Sequence, residues 1–256
     1  RAAHHTRALT DAIKLAKLTS ARLDGYLDGV EDLLDTTAVL VLADLERPEL
    51  LSAQLSTLKG RLPDYVNAIQ AIALDGSVIA SSAAAGQGIE PYAVADRKYF
   101  KEAIAGESIG VGEPVLSRTT GKLAVAFAKR IVDTAGKVRV VASVSLRLEN
   151  FQNLLKAEEL PPGSIITLLN ENNVVLARTQ DASAWIGKNL SDVEVVRSIG
   201  RRQEGGVEGV SADGINRLAG FTRLHKVPWW IYAGIPRDVA LAPAQAALWR
   251  TLLWSG

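Results

Sequence analysis

The chain has 256 residues, with 29 Lys and Arg against 28 Asp and Glu, 48% hydrophobic residues, and neither Cys nor Met. This length fits one large domain or two domains of roughly 100–130 residues, and the hydrophobic content excludes intrinsic disorder. A net charge of +1 gives no field for nucleic acid, and the absence of Cys excludes disulfides, thiolate nucleophiles and cysteine-based metal sites.

Residues 3–44 contain no Pro and predict one long amino-terminal helix. Its apolar residues recur at alternating steps of four and three, a period near 3.5 that is typical of a helix packed lengthwise on another helix. This period predicts a homodimer seam along the helix. The seam includes Leu9, Ile13, Leu23, Leu27, Val30 and Leu34. The alternative is a long helix that lies on its own domain.

Pro48 stands where a second helix would begin, and Gly60 and Pro63 would end it. The Asp75-Gly76 pair then lies between two apolar runs, which is a strong hairpin signal. The first β-rich region is predicted to have strands over 69–74 and 77–82, a short helix over 96–105, and strands over 111–116, 122–132 and 138–146.

The same order of elements occurs a second time, after a linking helix predicted over 148–155. Its strands are predicted over 164–169 and 174–178, its helix over 190–201, and its further strands over 206–211, 216–224 and 229–235. Two strands, a helix and three strands, repeated, predict an α/β fold of the α+β type with two antiparallel five-stranded sheets.

A final helix is predicted from about Asp238 onward, and Trp249 and Trp254 flank Arg250 near its end. Trp is enriched where helices meet the membrane–water interface. We therefore expect this helix to enter a transmembrane segment, the alternative being a surface helix with two exposed Trp. The lack of any Met indicates that the sequence is part of a longer chain.

The order of elements and three stretches resemble the double Cache sensor domain of bacterial transmembrane receptors. The stretches are Asp96-Arg97-Lys98-Tyr99-Phe100, then Gly112–Arg118 with Thr120-Gly121-Lys122, and Asp133-Thr-Ala-Gly136 before the last strand of the first region. The resemblance covers essentially the whole chain. It implies a long dimerisation and signalling helix (1–46), a membrane-distal PAS-like ligand-binding domain (47–155), a membrane-proximal PAS-like domain (156–237) and a helix leading into the membrane (238–256).

The resemblance also implies a ligand site in the distal domain, between the sheet and residues 83–105. The residues that it assigns to this site are Arg97, Tyr99, Ser117, Arg118, Lys129 and Ser145. Arg97 matches the position of an Arg for a ligand carboxylate, a role that suits its paired donors, and Tyr99 matches an aromatic lid. The alternatives are a structural salt bridge from Arg97 to Asp96 or Glu102 and plain core packing of Tyr99.

One departure from the family bears on the ligand. Amino-acid-binding members place an Asp near the end of the last distal strand to hold the ligand ammonium, and that position aligns with Ser145 here. The resemblance therefore implies a small carboxylate or other anion rather than an α-amino acid.

The sequence Gly106-Glu-Ser108-Ile-Gly110 matches the nucleophile elbow of hydrolases. That elbow needs a strand before the Ser and a helix after it, whereas here the predicted helix comes first. We expect no catalysis by this chain, no cofactor and no metal ion.

The sequence is therefore interpreted as the periplasmic sensor module of a bacterial inner-membrane receptor, with a histidine kinase as parent. Its expected partners are a small-molecule ligand, a second copy of the chain and the membrane through flanking segments, and no nucleic acid. The alternatives are the same module on a diguanylate cyclase or a chemoreceptor, or a dimerisation module without a ligand.

Overall fold

The computed structural model describes residues 2–83, 92–106, 109–117, 120–156 and 160–242. These residues divide into two compact units. The first unit runs from Tyr26 to Asn150, and the second combines the residues up to Gly25 with those from Phe151 onward. Each unit contains one antiparallel sheet.

Helix α1 covers Ala2–Asp44, as its apolar period predicts, but the homodimer seam predicted along it is wrong. Four of the six predicted seam residues are at most 4% exposed within a single chain, namely Leu23, Leu27, Val30 and Leu34. Leu9 and Ile13 lie against Gly206, where a Cβ would come within 3.3 Å of both side chains. A period of 3.5 residues fits any partner packed along the helix, and here α1 packs within its own chain.

Besides the part of α1 that follows Gly25, the first unit contains α2 (Pro48–Gly60), β1 (Val66–Ile72), β2 (Val78–Ser81), α3 (Lys98–Ala105), β3 (Gly110–Val111), β4 (Val115–Leu116), β5 (Leu123–Val132) and β6 (Val138–Arg147). The strand order is β2-β1-β6-β5-β3, and β4 also pairs with β5. All of these pairs are antiparallel.

The strand predicted over 111–116 is split into β3 and β4, so this sheet has six strands rather than five. Both short strands pair with β5. Pro114 lies between them and has no N–H to donate to a ladder, which accounts for the interruption. The antiparallel sheet itself is confirmed.

The second unit begins within α4 (Leu148–Leu155). It then contains β7 (Ile165–Leu169), β8 (Val175–Arg178), α5 (Ala182–Trp185), α6 (Glu194–Ile199), β9 (Glu204–Val210), β10 (Asn216–Arg223) and β11 (Trp230–Pro236). The sheet has the order β8-β7-β11-β10-β9 and five antiparallel strands, as predicted. The helix predicted over 190–201 corresponds to α6, which is shorter than predicted at both ends.

The core of the second unit forms where α6 packs on one face of this sheet. Val195, Val196 and Ile199 of α6 are at most 8% exposed and join a cluster that includes Phe221 and Trp230. None of the helices formed by the described residues has the length and hydropathy needed to cross a membrane. The helix expected to enter a membrane over 238–256 is described only as far as residue 242, and its remainder lies outside the described residues.

Candidate functional site

A pocket opens on one face of the first sheet, and its floor is built from small side chains. Ala68 of β1, Ser145 of β6 and Ala126 of β5 lie directly opposite one another in the strand register. Side chains alternate between the faces of a strand, so Ala124 shares the face of Ala126, and Gln70 shares that of Ala68. These short side chains fill little of the space above the sheet.

The remaining walls come from the segment before α3 and from the end of β4. We call this cavity the Arg97 pocket; its lining is Ala68, Gln70, Tyr92, Val94, Arg97, Tyr99, Val115, Leu116, Ser117, Ala124, Ala126 and Ser145. It encloses about 490 Å³ of empty space, counting the part open to solvent.

Four of the six predicted site residues come together in this pocket. Arg97, Tyr99, Ser117 and Ser145 all line it. Arg118 lies outside the described residues, as do residues 84–91 of the predicted loop and Ser108 of the elbow-like sequence.

Arg97 is the residue directly before α3, with an extended backbone (φ −77°, ψ 137°). Its side chain is 24% exposed, and its Nε lies 3.9 Å from the carboxylate of Asp96, which is itself 66% exposed. An exposed ion pair at that distance contributes little to stability. Glu102, the other partner considered, instead pairs with Lys98 at 2.7 Å and accepts the backbone N–H of Val111 at 2.8 Å.

Tyr99 has two roles in the structure, since it lines the pocket and also packs in the core. It is 8% exposed and belongs to a cluster with Phe100 and Ala103. A Cβ on Gly112 would lie 3.1 Å from the Tyr99 ring, so glycine leaves room for the ring to rest against this segment. Phe100 is a core residue.

Lys129 does not reach the Arg97 pocket, and its predicted place in the ligand site is corrected here. Lys129 is separated from Ala124 and Ala126 along β5 by an odd number of positions. Its side chain therefore lies on the other face of the sheet. The ammonium bonds to Asp35 of α1 at 2.7 Å and lies 3.6 Å from Glu31. Desolvation alone would lower the pKa of Lys129, but these two carboxylates outweigh it and raise that pKa.

Two polar lining residues were not anticipated from the sequence. Gln70 donates a hydrogen bond from its amide to the hydroxyl of Tyr92, and its carbonyl accepts a 3.5 Å hydrogen bond from Ser143. The alternation of Ala124, Ala126 and Ala128 along β5 is the sequence signal that could have located the floor, because three small residues on one strand face rarely fill a core.

The pocket is electropositive in its described part. Among the described residues that line it, Arg97 carries the one formal charge, and the remaining polar groups are neutral amides and hydroxyls. In the described ranges, no three His, Asp or Glu side chains approach closely enough to hold a metal ion. The arrangement can therefore bind the carboxylate of a small ligand through the Arg97 guanidinium and cover its apolar part with Tyr99 and alanine side chains.

Comparison with known proteins agrees with this architecture. The family model for the Cache domain matches residues 1–244. The extracellular domain of rpHK1S-Z16, described as a histidine kinase, has a TM-score of 0.78 at 20% identity, covering 92% of this chain and 97% of that chain.

Two chemoreceptor domains are similar as well. The ligand-binding domain of Pseudomonas fluorescens CtaA, solved with L-leucine, has a TM-score of 0.72 at 18% identity over 94% of this chain and 100% of that chain. The corresponding domain of the Pseudomonas aeruginosa PAO1 amino acid chemoreceptor PctB, solved with L-Arg, has a TM-score of 0.70 at 17% identity over 90% and 95%. No curated protein sequence matches the chain. At these identities the structural likeness shows a shared fold.

Proposed function

The chain belongs to the Cache domain family, and we propose that it is the extracytoplasmic sensor module of a bacterial membrane receptor. In this proposal, residues 47–155 are the membrane-distal, ligand-binding domain and residues 156–237 are the membrane-proximal domain. The ligand site is the Arg97 pocket, which lies within the first compact unit. The module binds and signals, and any catalysis belongs to its parent protein.

We propose a small carboxylate without an ammonium group as the ligand. The observation that carries this choice is the pairing of one guanidinium, that of Arg97, with a floor where Ser145 stands in place of a carboxylate. An ammonium group buried in the pocket would need an acceptor of opposite charge, and the described lining supplies none. A carboxylate, in contrast, obtains two parallel donors from one guanidinium.

The two faces of β5 suggest how binding could be transmitted within the first unit. One face carries Ala124 and Ala126 of the pocket floor, and the other carries Lys129, which is ion-paired with Asp35 of α1. A ligand that binds one arrangement of β5 more tightly shifts the population toward it, and α1 follows through this pair. A coupling of about 1–3 kcal/mol would shift the equilibrium between the two arrangements by roughly 5–150-fold.

A histidine kinase is our proposed parent, with a chemoreceptor as the second candidate, because both kinds of extracellular domain share this fold. A diguanylate cyclase parent is the third. Sequencing the full gene tests this choice, because the three kinds of parent carry different cytoplasmic domains.

A homodimer along α1 remains part of the proposal, on a surface other than the one first predicted. Leu18 and Val39 of α1 are each 70% exposed. Gly25 and Gly29 have open space where a Cβ would stand, so a second helix could approach the backbone closely there.

The proposal is tested by titrating the chain with short carboxylates, their neutral amides and α-amino acids in isothermal titration calorimetry. We expect a carboxylate to bind in a manner that depends on Arg97. Binding that is confined to amino acids would contradict the ligand class while leaving the sensor role in place.

A further inference from the structure

The second unit contains its own cavity, which the proposed function does not use. It lies between the second sheet and α6, and four polar residues line it: Thr167, Arg178, Ser211 and Tyr232. The rest of its lining is mainly isoleucine, leucine and valine side chains from β7, α6 and the segment before α6. We call it the Arg178 pocket. It measures about 270 Å³ of empty space, counting the part open to solvent, little more than half that of the Arg97 pocket.

The strand register places three of the polar side chains in one row. Tyr232 of β11 lies opposite Thr167 of β7, which in turn lies opposite Arg178 of β8. Directly opposed residues share a sheet face, so the hydroxyls and the guanidinium face the same space. The hydroxyls of Tyr232 and Ser211 are hydrogen-bonded to each other at 2.8 Å.

The cluster beside this pocket carries more buried positive than negative charge. The side chains of Arg178 and Arg217 are 2% and 0% exposed, and they share one carboxylate, that of Asp213, at 2.6 Å each. In the described part of the chain, neither guanidinium has a second ion-pair partner, so the cluster has a net charge of +1. Removing such a charge from water is costly unless an anion compensates it.

Two polar groups of the pocket are buried and lack a hydrogen-bond partner within the described residues. They are the Nε of Arg178 and the hydroxyl of Thr167, and both residues are 2% exposed. Groups of this kind are usually satisfied in native proteins, because an unpaired buried donor costs about 1–3 kcal/mol. The Arg178 guanidinium is otherwise fixed by Asp213 and by the ring of Trp185, which lies 4.8 Å from its Cζ.

We infer that the Arg178 pocket is a second ligand site, which binds a short aliphatic monocarboxylate of about two to four carbons. The carboxylate lies against Arg178 and Thr167, where it neutralises the excess charge. It accepts one hydrogen bond from the Nε of Arg178 and one from the hydroxyl of Thr167. The alkyl tail lies among the apolar side chains of Leu190, Val195 and Val196. This inference does not depend on the Arg97 pocket.

The test uses the Arg97→Ala chain, so that binding at the first pocket does not contribute. Propionate is titrated by calorimetry against this chain, with propionamide as the neutral isostere. We expect propionate to bind, and propionamide to bind at least tenfold more weakly because it cannot compensate the buried charge.

A second substitution, Thr167→Val, removes the hydroxyl while keeping the shape of the side chain. We expect propionate to bind about tenfold more weakly, as for the loss of one hydrogen bond to a charged group. Thr222→Val is the matched control, since Thr222 is 7% exposed on β10 of the same sheet but does not line the pocket. It should leave the affinity unchanged.

Three results would overturn the inference: no heat of binding for propionate in a folded Arg97→Ala chain, equal effects of the two threonine substitutions, or chloride binding that propionate does not displace. Failure of the proposed function has a different signature, because it leaves binding to the Arg97→Ala chain intact.

Discussion

The side-chain amide of Asn67 donates a hydrogen bond of 3.3 Å to the hydroxyl of Ser145. The strand register shifts at Asn67, because Val66 pairs with Leu146 whereas Ala68 pairs with Ser145. Asn67 is thus the extra residue of a bulge, and its side-chain Oδ1 accepts a 2.6 Å hydrogen bond from the hydroxyl of Thr120. This small network fixes a neutral hydroxyl, that of Ser145, on the floor of the Arg97 pocket.

Ser145→Asp tests whether that neutrality selects the ligand. A negative charge on the floor would repel a carboxylate and provide an acceptor for an ammonium group. We expect at least a tenfold loss of carboxylate affinity and new binding of small α-amino acids, measured by calorimetry. Ser145→Asn is the matched control, with the same size and no charge. Unchanged carboxylate affinity in Ser145→Asp would place the ligand away from this floor.

Ala126→Leu tests whether the small side chains of β5 create the binding space. Three additional carbons would occupy the pocket above the sheet, so carboxylate binding should fall by more than tenfold. The free energy of unfolding should change by less than about 2 kcal/mol, because the added atoms enter space rather than a packed core. Ala53→Leu, at an exposed position of α2, is the control. Retained affinity in Ala126→Leu would show that the ligand does not contact the floor.

Asp213→Asn tests the buried cluster of the second unit. Two buried guanidiniums would lose their shared partner, and we expect a loss of about 3–5 kcal/mol at neutral pH. All five Trp residues follow residue 150, so urea unfolding followed by Trp fluorescence reports on this unit. Asp192→Asn, at an exposed position, should have almost no effect. A loss below 1 kcal/mol in Asp213→Asn would contradict the described pairing.

Asp213 should also make the stability of the fold depend on pH. Burial by itself raises the pKa of Asp213, but the hydrogen bond and charge of Arg217 and the charge of Arg178 outweigh it, so the pKa is below its ordinary 3.8. A lowered folded-state pKa stabilises the fold fully above the unfolded pKa, and that contribution is lost as the pH falls through the folded value. Wild type should therefore lose more stability than Asp213→Asn as the pH falls from about 5 to below 3.8. Parallel losses in the two chains would contradict this assignment.

Disulfide cross-linking in the full-length receptor tests the revised dimer surface. Leu18→Cys should cross-link between copies, because this side chain is 70% exposed. Leu27→Cys should not, because Leu27 is 1% exposed and packs within its own chain. The chain itself contains no Cys that could interfere. Efficient cross-linking at Leu27 alone would restore the seam that the apolar period first suggested.

Most of the fold follows from local signals in the sequence. The hairpin at Asp75-Gly76, the alternating runs of both sheets and the linking helix α4 all occur where patterns predict them. The apolar period of α1 predicted the helix correctly but not the surface against which it packs. Packing on another helix and packing on the chain's own units produce the same repeat.

The sites depend on features that local patterns do not encode. Lys129 was misplaced because the face of a strand residue depends on register, which the alanines of β5 define. The Asn67 bulge interrupts the alternation of β1, so no periodic pattern could locate it. The shared carboxylate of Asp213 joins Arg178 and Arg217, which lie 39 residues apart in the chain and meet through tertiary pairing alone.

The most direct test of the sensor assignment is calorimetric titration of a carboxylate panel, from acetate to succinate, against wild type, Arg97→Ala and Lys129→Met. Lys129→Met is the matched control, since it removes a cation that does not line the pocket. We predict a carboxylate-binding site that is present in wild type and Lys129→Met and absent from Arg97→Ala. At about one hundred times its dissociation constant, this ligand should stabilise wild type by about 2.7 kcal/mol, a melting shift of roughly 5–10 °C. Carboxylate binding that survives in Arg97→Ala with the wild-type affinity and stoichiometry would contradict this prediction.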